Sequence, residues 1–279
     1  MNLSEAQAAS RTGSDTNSNR PGSDAPYYED EFLLAAVLGR DPRRDHPESP
    51  EAARRVERET LARRFQLRPE RVFMLEQVHG PDCFFITEAD TVANQDVFFA
   101  RGDALLTGDA DILLCIRTAD CLPIFFAGYD SEPPAEPEAV TTRMRPVMVG
   151  VAHAGWRGLR GGVMETALER AMDAGCRSFR MFRGPAIGGD VYEVGPEVAE
   201  HFEIKTRNTN NRERETWLLD LPANAADRMD AFGPAARLDS RLDDVFRGCV
   251  YTGNRRWYSH RRGDAGRNLN IIMLKGQRA

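Results

Sequence analysis

Between Cys115 and Gly162 the chain carries apolar runs of strand length that stop at side chains with chemistry of their own. Ile112–Ile116 leads to Cys121, and Val147–Val151 leads to His153. Upstream, Val72–Val78 leads to His79. Continuous apolar runs this short, bounded by Gly, Asp and Pro, read as strands buried on both faces. Such strands need cover on each side, which fits an α/β domain with its sheets inside and helices outside. Side chains just past rigid strand ends also converge reproducibly, so His79, Cys121 and His153 are the first candidates for a shared site.

Further strands are expected at Glu31–Gly39, Cys83–Thr87, Asp103–Thr107, Leu122–Ala127, Ser178–Phe182, Trp217–Leu221 and Arg267–Leu274. Ser49-Pro50-Glu51 opens a helix with a capping hydroxyl, proline at the first position and an early acid; it should run through Ala52–Phe65 with Val56, Leu61 and Phe65 inward. A second helix is expected from about Leu159 to Ala174, closed by Gly175 in a left-handed conformation, and others over Glu197–Phe202 and Pro222–Phe232. Tyr129–Arg145, rich in Pro and Glu, reads as a solvated hairpin excursion. Strands and helices mix without strict alternation. The reading is therefore one α/β domain over residues 28–279, of mixed β-sheets flanked by helices, behind a disordered tail over residues 1–27 that is Ser-, Asn-, Asp-, Gly- and Pro-rich to Asp24.

Composition removes several classes of function. With 37 basic against 43 acidic residues and a net charge of −6, the chain lacks the cationic excess of a nucleic-acid binder. No apolar run approaches the roughly 18 residues of a membrane span, and the N-terminus has no secretory apolar region. An odd number of cysteines, 5, without framework spacing suits a reducing compartment, so the cytoplasm is the expected location.

Two imidazoles and a thiolate form an open three-ligand set for zinc, with a fourth position left for water or substrate. A cysteine nucleophile at Cys121 with His153 as its base reads from the same residues, as does a plain buried cysteine. Cys83, Cys115, Cys176 and Cys249 are assigned no chemistry. Asp120 could orient a ligand or simply hold its turn. Gly155-Trp156-Arg157-Gly158 sets Arg157 at a helix start, where anions are favoured. Gly184–Gly189 is either a close-approach loop or a tight turn. Tyr258, Ser259, His260, Arg261 and Arg262, with Arg267 beyond, gather rings and guanidinium forks suited to an aromatic ligand bearing hydroxyls or phosphate, unless they form a solvated basic loop.

Read in order, E-Q-V-H-G, G-D-A-L-L-T, T-A-D-C-L-P-I, V-A-H-A-G-W-R-G-L, G-P-A-I-G-G, L-D-L and Y-S-H-R-R resemble the YfiH family, also called laccase-domain or polyphenol-oxidase-type proteins and peptidoglycan editing factors. The likeness covers roughly Val72 to Leu274. It implies an α/β/β/α-like sandwich and a metal held by His79, Cys121 and His153. It also implies purine nucleosides and phosphate as substrates, since members are described as purine nucleoside phosphorylases that deaminate adenosine and cleave methylthioadenosine. On this likeness Arg157 lies near the site as a catalytic residue, and Tyr258, Ser259, Arg261 and Arg262 line it, with Arg157 and Arg262 the candidate holders of phosphate. Older descriptions imply copper and phenol oxidation instead, and a binding role in cell-wall precursor editing is a further implication. Phe32–Arg44 carries neither the family's G-G-V-S motif nor its Asn-Leu-Gly segment, so no pocket residue is assigned there.

Overall fold

The computed structural model describes residues 26–41, 49–94, 100–132, 144–202, 204, 215–253 and 255–276. Its strands, in chain order, are β1 (Tyr27–Glu29), β2 (Leu33–Leu38), β3 (Val72–Glu76), β4 (Cys83–Ile86), β5 (Ala100–Arg101), β6 (Ala104–Thr107), β7 (Leu113–Thr118), β8 (Leu122–Tyr129), β9 (Met148–Ala154), β10 (Ser178–Arg183), β11 (Glu193–Val194), β12 (Trp217–Leu218), β13 (Ala236–Leu238) and β14 (Asn268–Leu274). The helices are α1 (Pro50–Arg64), α2 (Asp90–Ala93), α3 (Trp156–Arg160), α4 (Val163–Asp173), α5 (Pro196–Ala199), α6 (Leu221–Ala231) and α7 (Ser240–Phe246). The tail expected over residues 1–27 lies outside the described residues up to position 25, and β1 already begins at Tyr27.

One six-stranded sheet runs β1-β2-β14-β7-β3-β5 and a second runs β13-β10-β8-β9-β6-β4. Both are mixed: β3 pairs parallel with β7, while β7 pairs antiparallel with β14. Alternation along each strand divides the core. Leu114 and Ile116 of β7 face Phe125, Ala127 and Tyr129 of β8 between the sheets. On the outer face of the first sheet, Leu113 and Cys115 meet Leu61, Ala62 and Phe65 of α1. On the outer face of the second, Leu122, Ile124 and Phe126 meet Val163, Ala167 and Leu168 of α4. The layers are thus helix, sheet, sheet, helix, the sandwich implied by the family resemblance.

Two local expectations change. Val56 is 44% exposed whereas Leu61 is fully buried, because residues five apart stand roughly 140° apart around a helix. Glu57 and Arg58 turn inward instead, where Arg58 Nε donates to the Pro69 carbonyl at 2.9 Å. The single helix expected from Leu159 to Ala174 is two, α3 and α4, broken at Gly161-Gly162, with Gly162 at φ 83° in the left-handed region. The cap of α1 is as read: Ser49 accepts from Ala52 N at 3.1 Å, with Pro50 at the helix start. β8 and β9 are antiparallel neighbours, and residues 133–143 of the acidic excursion joining them lie outside the described residues. Among the described residues no helix is long and apolar enough to cross a membrane.

Candidate metal centre

The three residues picked out at strand ends meet. Ligand atoms of His79, Cys121 and His153 lie within 4.8 Å of one another, with Cys121 Sγ 3.8 Å from His79 Nε2. The two imidazole rings stand edge to face at 4.7 Å between centroids. His79 follows β3 in the first sheet, His153 lies on β9 in the second, and Cys121 sits in the turn where the chain passes from β7 to β8. Both ligand-bearing turns are tight enough to hold non-glycine residues at positive φ, His79 at 61° and Asp120 at 87°. Such conformations cost energy and persist only where the surroundings enforce them.

Asp103, absent from the sequence-level candidates, is the enforcing group for His79. Its fully buried carboxylate accepts from the backbone N–H groups of Val78 at 3.1 Å, His79 at 3.0 Å and Gly80 at 2.8 Å. It also accepts from His153 Nδ1 at 2.7 Å, and its own carbonyl accepts from His153 N at 2.7 Å. The carboxylate holds a proton on Nδ1 and so leaves Nε2 as the nitrogen that would face a metal, the arrangement that orients metal-binding histidines. Burial pushes the Asp103 carboxyl up, but the His153 hydrogen bond and the backbone donors outweigh it and hold it below the usual carboxylate range. Burial likewise opposes charge on Cys121 and His153. The His153 charge and hydrogen bonds from both histidines nevertheless depress the Cys121 thiol, and Cys121 and Asp103 together raise His153. The cluster therefore favours thiolate, the form that binds a metal. Two imidazoles and a thiolate at this spacing fit zinc or copper by donor type.

Gly155 makes room for this geometry. A Cβ there would stand 2.9 Å from both Cys121 Sγ and His79 Cδ2, although the Gly155 φ of −67° suits any residue. Gly155→Ala is therefore expected to leave the fold intact but weaken metal affinity about 10- to 100-fold, the range for disturbing a ligand's supports. Titration against a competing chelator measures this; unaltered affinity would mean that the ligands tolerate displacement.

The centre opens on a cavity of about 440 Å³ lined by Arg54, Leu75, Glu76, Gln77, Arg117, Ala119, His260 and Arg267 besides the three ligand candidates. Of the stretch from Tyr258 to Arg262, only His260 reaches this wall. Tyr258 is buried, with its hydroxyl bonded to the backbone of Asp41. Ser259 is fully buried and donates to Asp120 Oδ1 at 2.6 Å, and Arg261 N donates to Asp120 Oδ2 at 2.6 Å. Asp120 is thus a turn holder that ties this loop beside Cys121. The Arg262 guanidinium is spent on Asp264 and on the carbonyls of Val250, Tyr251 and Trp257. Tyr258, Ser259 and Arg262 brace the loop rather than line this cavity. Arg261 lies over the Tyr192 ring, 5.3 Å from its centroid. Arg157 is exposed and stacks on Trp156 at 4.3 Å; its helix, α3, has only 5 residues. In the Gly184–Gly189 loop, Ile187 N donates to the Asp120 carbonyl at 2.9 Å.

The sandwich and its strand-end cluster define a laccase-domain protein. The profile of the family described as multi-copper polyphenol oxidoreductase laccase matches residues 44–275, and the chain belongs to this family, the YfiH proteins. It is 31% identical over 212 residues to the purine nucleoside phosphorylase YfiH of Escherichia coli (strain K12), covering 74% of this chain and 75% of that one. A Pseudomonas aeruginosa protein named purine nucleoside phosphorylase is 30% identical over 259 residues, covering 91% of this chain and 89% of its own. Among solved structures, YlmD from Geobacillus stearothermophilus superposes with a TM-score of 0.62 at 25% identity, covering 90% of this chain and all of that one. The Bacillus licheniformis hypothetical protein YfiH gives 0.65 at 21% identity, covering 87% and 93%.

Proposed function

We propose that the protein is a zinc-dependent purine nucleoside phosphorylase of the cytoplasm that also deaminates adenosine and cleaves methylthioadenosine. One observation carries the reading: a His–Cys–His cluster, its tautomer set by Asp103, opens on a cavity in a chain whose relatives bear the phosphorylase name. His79, Cys121 and His153 would hold the metal, which when bound supplies a Lewis acid to polarise a substrate oxygen. The chain's own residues do the rest. Asp103 keeps the proton on His153 Nδ1. Arg261, over the Tyr192 ring, and Arg157, over Trp156, are proposed for the nucleoside side. In phosphorolysis a phosphate oxygen bonds to ribose C1′ while the C1′–N9 bond breaks and its electron pair leaves with the purine, which then takes up a proton. His260, on the cavity wall, is the side chain proposed to give it. In deamination water adds at purine C6 and ammonia departs.

Incubation with adenosine, with and without phosphate, followed by chromatography, tests this. Adenine should form only with phosphate, and inosine should form without it. None of adenine, inosine or hypoxanthine at full metal occupancy would overturn the proposal. A copper-loaded phenol oxidase is the second reading, favoured by the family's description. Among the described residues the one candidate metal cluster is His79, Cys121 and His153, which restricts it to a single-copper form. Phenol oxidation by copper-loaded but not zinc-loaded protein would support it.

A further inference from the structure

We infer that Arg54, Arg117 and Arg267 form an oxyanion subsite for a phosphate group on the cavity wall beside the metal centre, a role that neither Arg157 nor Arg262 fills. The inference rests on the nucleoside-phosphorylase reading of the same cavity and adds where its anion sits.

All three guanidinium groups line one cavity with His79, Cys121 and His153, although each comes from a different element: α1, β7 and the segment before β14. Arg117 is the centre of the set. Gln77 fixes it by pairing with its backbone at both ends, Nε2 to the Arg117 carbonyl and Arg117 N to Oε1, each at 2.8 Å. Its side chain is held from behind by buried Glu57, with Nε to Oε2 at 2.7 Å. Arg267 is anchored through one nitrogen, Nη1, on the carbonyls of Ala265 at 2.9 Å and Gly266 at 2.8 Å. The wall's own carboxylate, Glu76, pairs outward with Arg101 at 3.3 Å.

Gathering like charges on one partly buried wall is unfavourable in the free protein. Burial first, and then the charge of Arg117, lowers the proton affinity of both Arg54 and Arg267. A bound dianion relieves that repulsion, and guanidinium forks match its oxygens in pairs. Arg267 and Cys121 line the same cavity, so an anion on this wall sits next to the metal centre. The cavity is within the usual range for small-ligand sites.

Calorimetric titration with inorganic phosphate, with AMP and with adenosine tests the subsite on metal-loaded protein and on the variants Arg54→Gln, Arg117→Gln and Arg267→Gln. Each variant should weaken phosphate about tenfold or more, as expected for losing a charge-assisted hydrogen bond, and leave adenosine within about twofold. Arg170→Gln, on the exposed face of α4, is the control. If Arg117→Gln fails to fold because Glu57 is left buried without its partner, Arg54→Gln and Arg267→Gln still decide. Arginine dependence seen with AMP but not with free phosphate would uphold the subsite and identify a phosphate ester as its ligand. Unchanged affinity for phosphate and AMP in these variants, or a loss on Arg157→Gln alone, would overturn it. Arginine-dependent phosphate binding without adenine release would keep the subsite and sink the phosphorylase reading, so the two fail separately.

Discussion

Cys121→Ser is expected to empty the metal centre and reduce phosphorolysis by more than the 10- to 100-fold that follows loss of an outer hydrogen bond to a ligand. Serine is nearly isosteric, but its hydroxyl stays protonated at neutral pH and is a poor ligand for zinc, whereas the Cys121 thiol is already biased toward thiolate by His79 and His153. Cys121 is only partly buried, so the melting temperature of the metal-free form should barely move. Metal content by mass spectrometry, read beside the turnover of adenosine, checks both halves. A serine variant with full metal and undiminished turnover would remove Cys121 from the ligand set. The rival in which Cys121 attacks substrate differs in one outcome: alkylation would then abolish activity even in metal-free protein.

Asp103→Ala should be the most destabilising single change at the site. It strips four N–H donors of their acceptor, three on the backbone of residues 78–80 and one on His153. Removing one partner of a buried charged pair costs about 3–5 kcal/mol, which chemical denaturation would register. Asp103→Asn is the more diagnostic variant. Its amide can replace one oxygen but presents N–H where the other accepted, so one contact is broken or His153 adopts the opposite tautomer. Metal affinity should then fall about 10- to 100-fold with a smaller loss of stability. The acid side follows from the same carboxylate. Its folded pKa lies below its unfolded value, so its contribution is present above the unfolded carboxylate range and lost as pH falls through the folded value. His153 behaves oppositely in metal-free protein. Its folded pKa is raised, so its contribution is present below the unfolded histidine value and drains away as pH climbs through the folded one. An Asn variant with wild-type metal affinity and an unchanged pH profile of stability would show that Asp103 neither orients nor charges the centre.

What could be read from residues alone follows a physical line. β3, β7, β8, β9 and β14 were legible because strands buried on both faces are apolar nearly throughout, and His79, Cys121 and His153 because each stands where such a run stops. The divided helix could have been read too, since Gly161-Gly162 interrupts it in plain view. Asp103 was not legible. Nothing about an aspartate ahead of a short strand says that its carboxylate will collect the N–H groups of residues 78–80, more than twenty positions earlier in the chain. Tyr258, Ser259 and Arg262 show the converse limit. Ring and fork chemistry looks like a ligand site in sequence, yet composition cannot tell whether carbonyls such as those of Val250 and Tyr251 already occupy the fork. Arg54 and Arg117 carried no signal at all, being surface-type residues on elements distant in sequence.

Because His79 hangs from one β-sheet and His153 from the other, with Cys121 at the crossing between them, an ion coordinated by all three would act as a rivet through the sandwich. Occupancy would then be a term in folding itself: free cation binds the assembled layers and not the separated ones, so cohesion at that end of the sandwich rises with the logarithm of its concentration. Without such an ion the two layers would be looser at this seam.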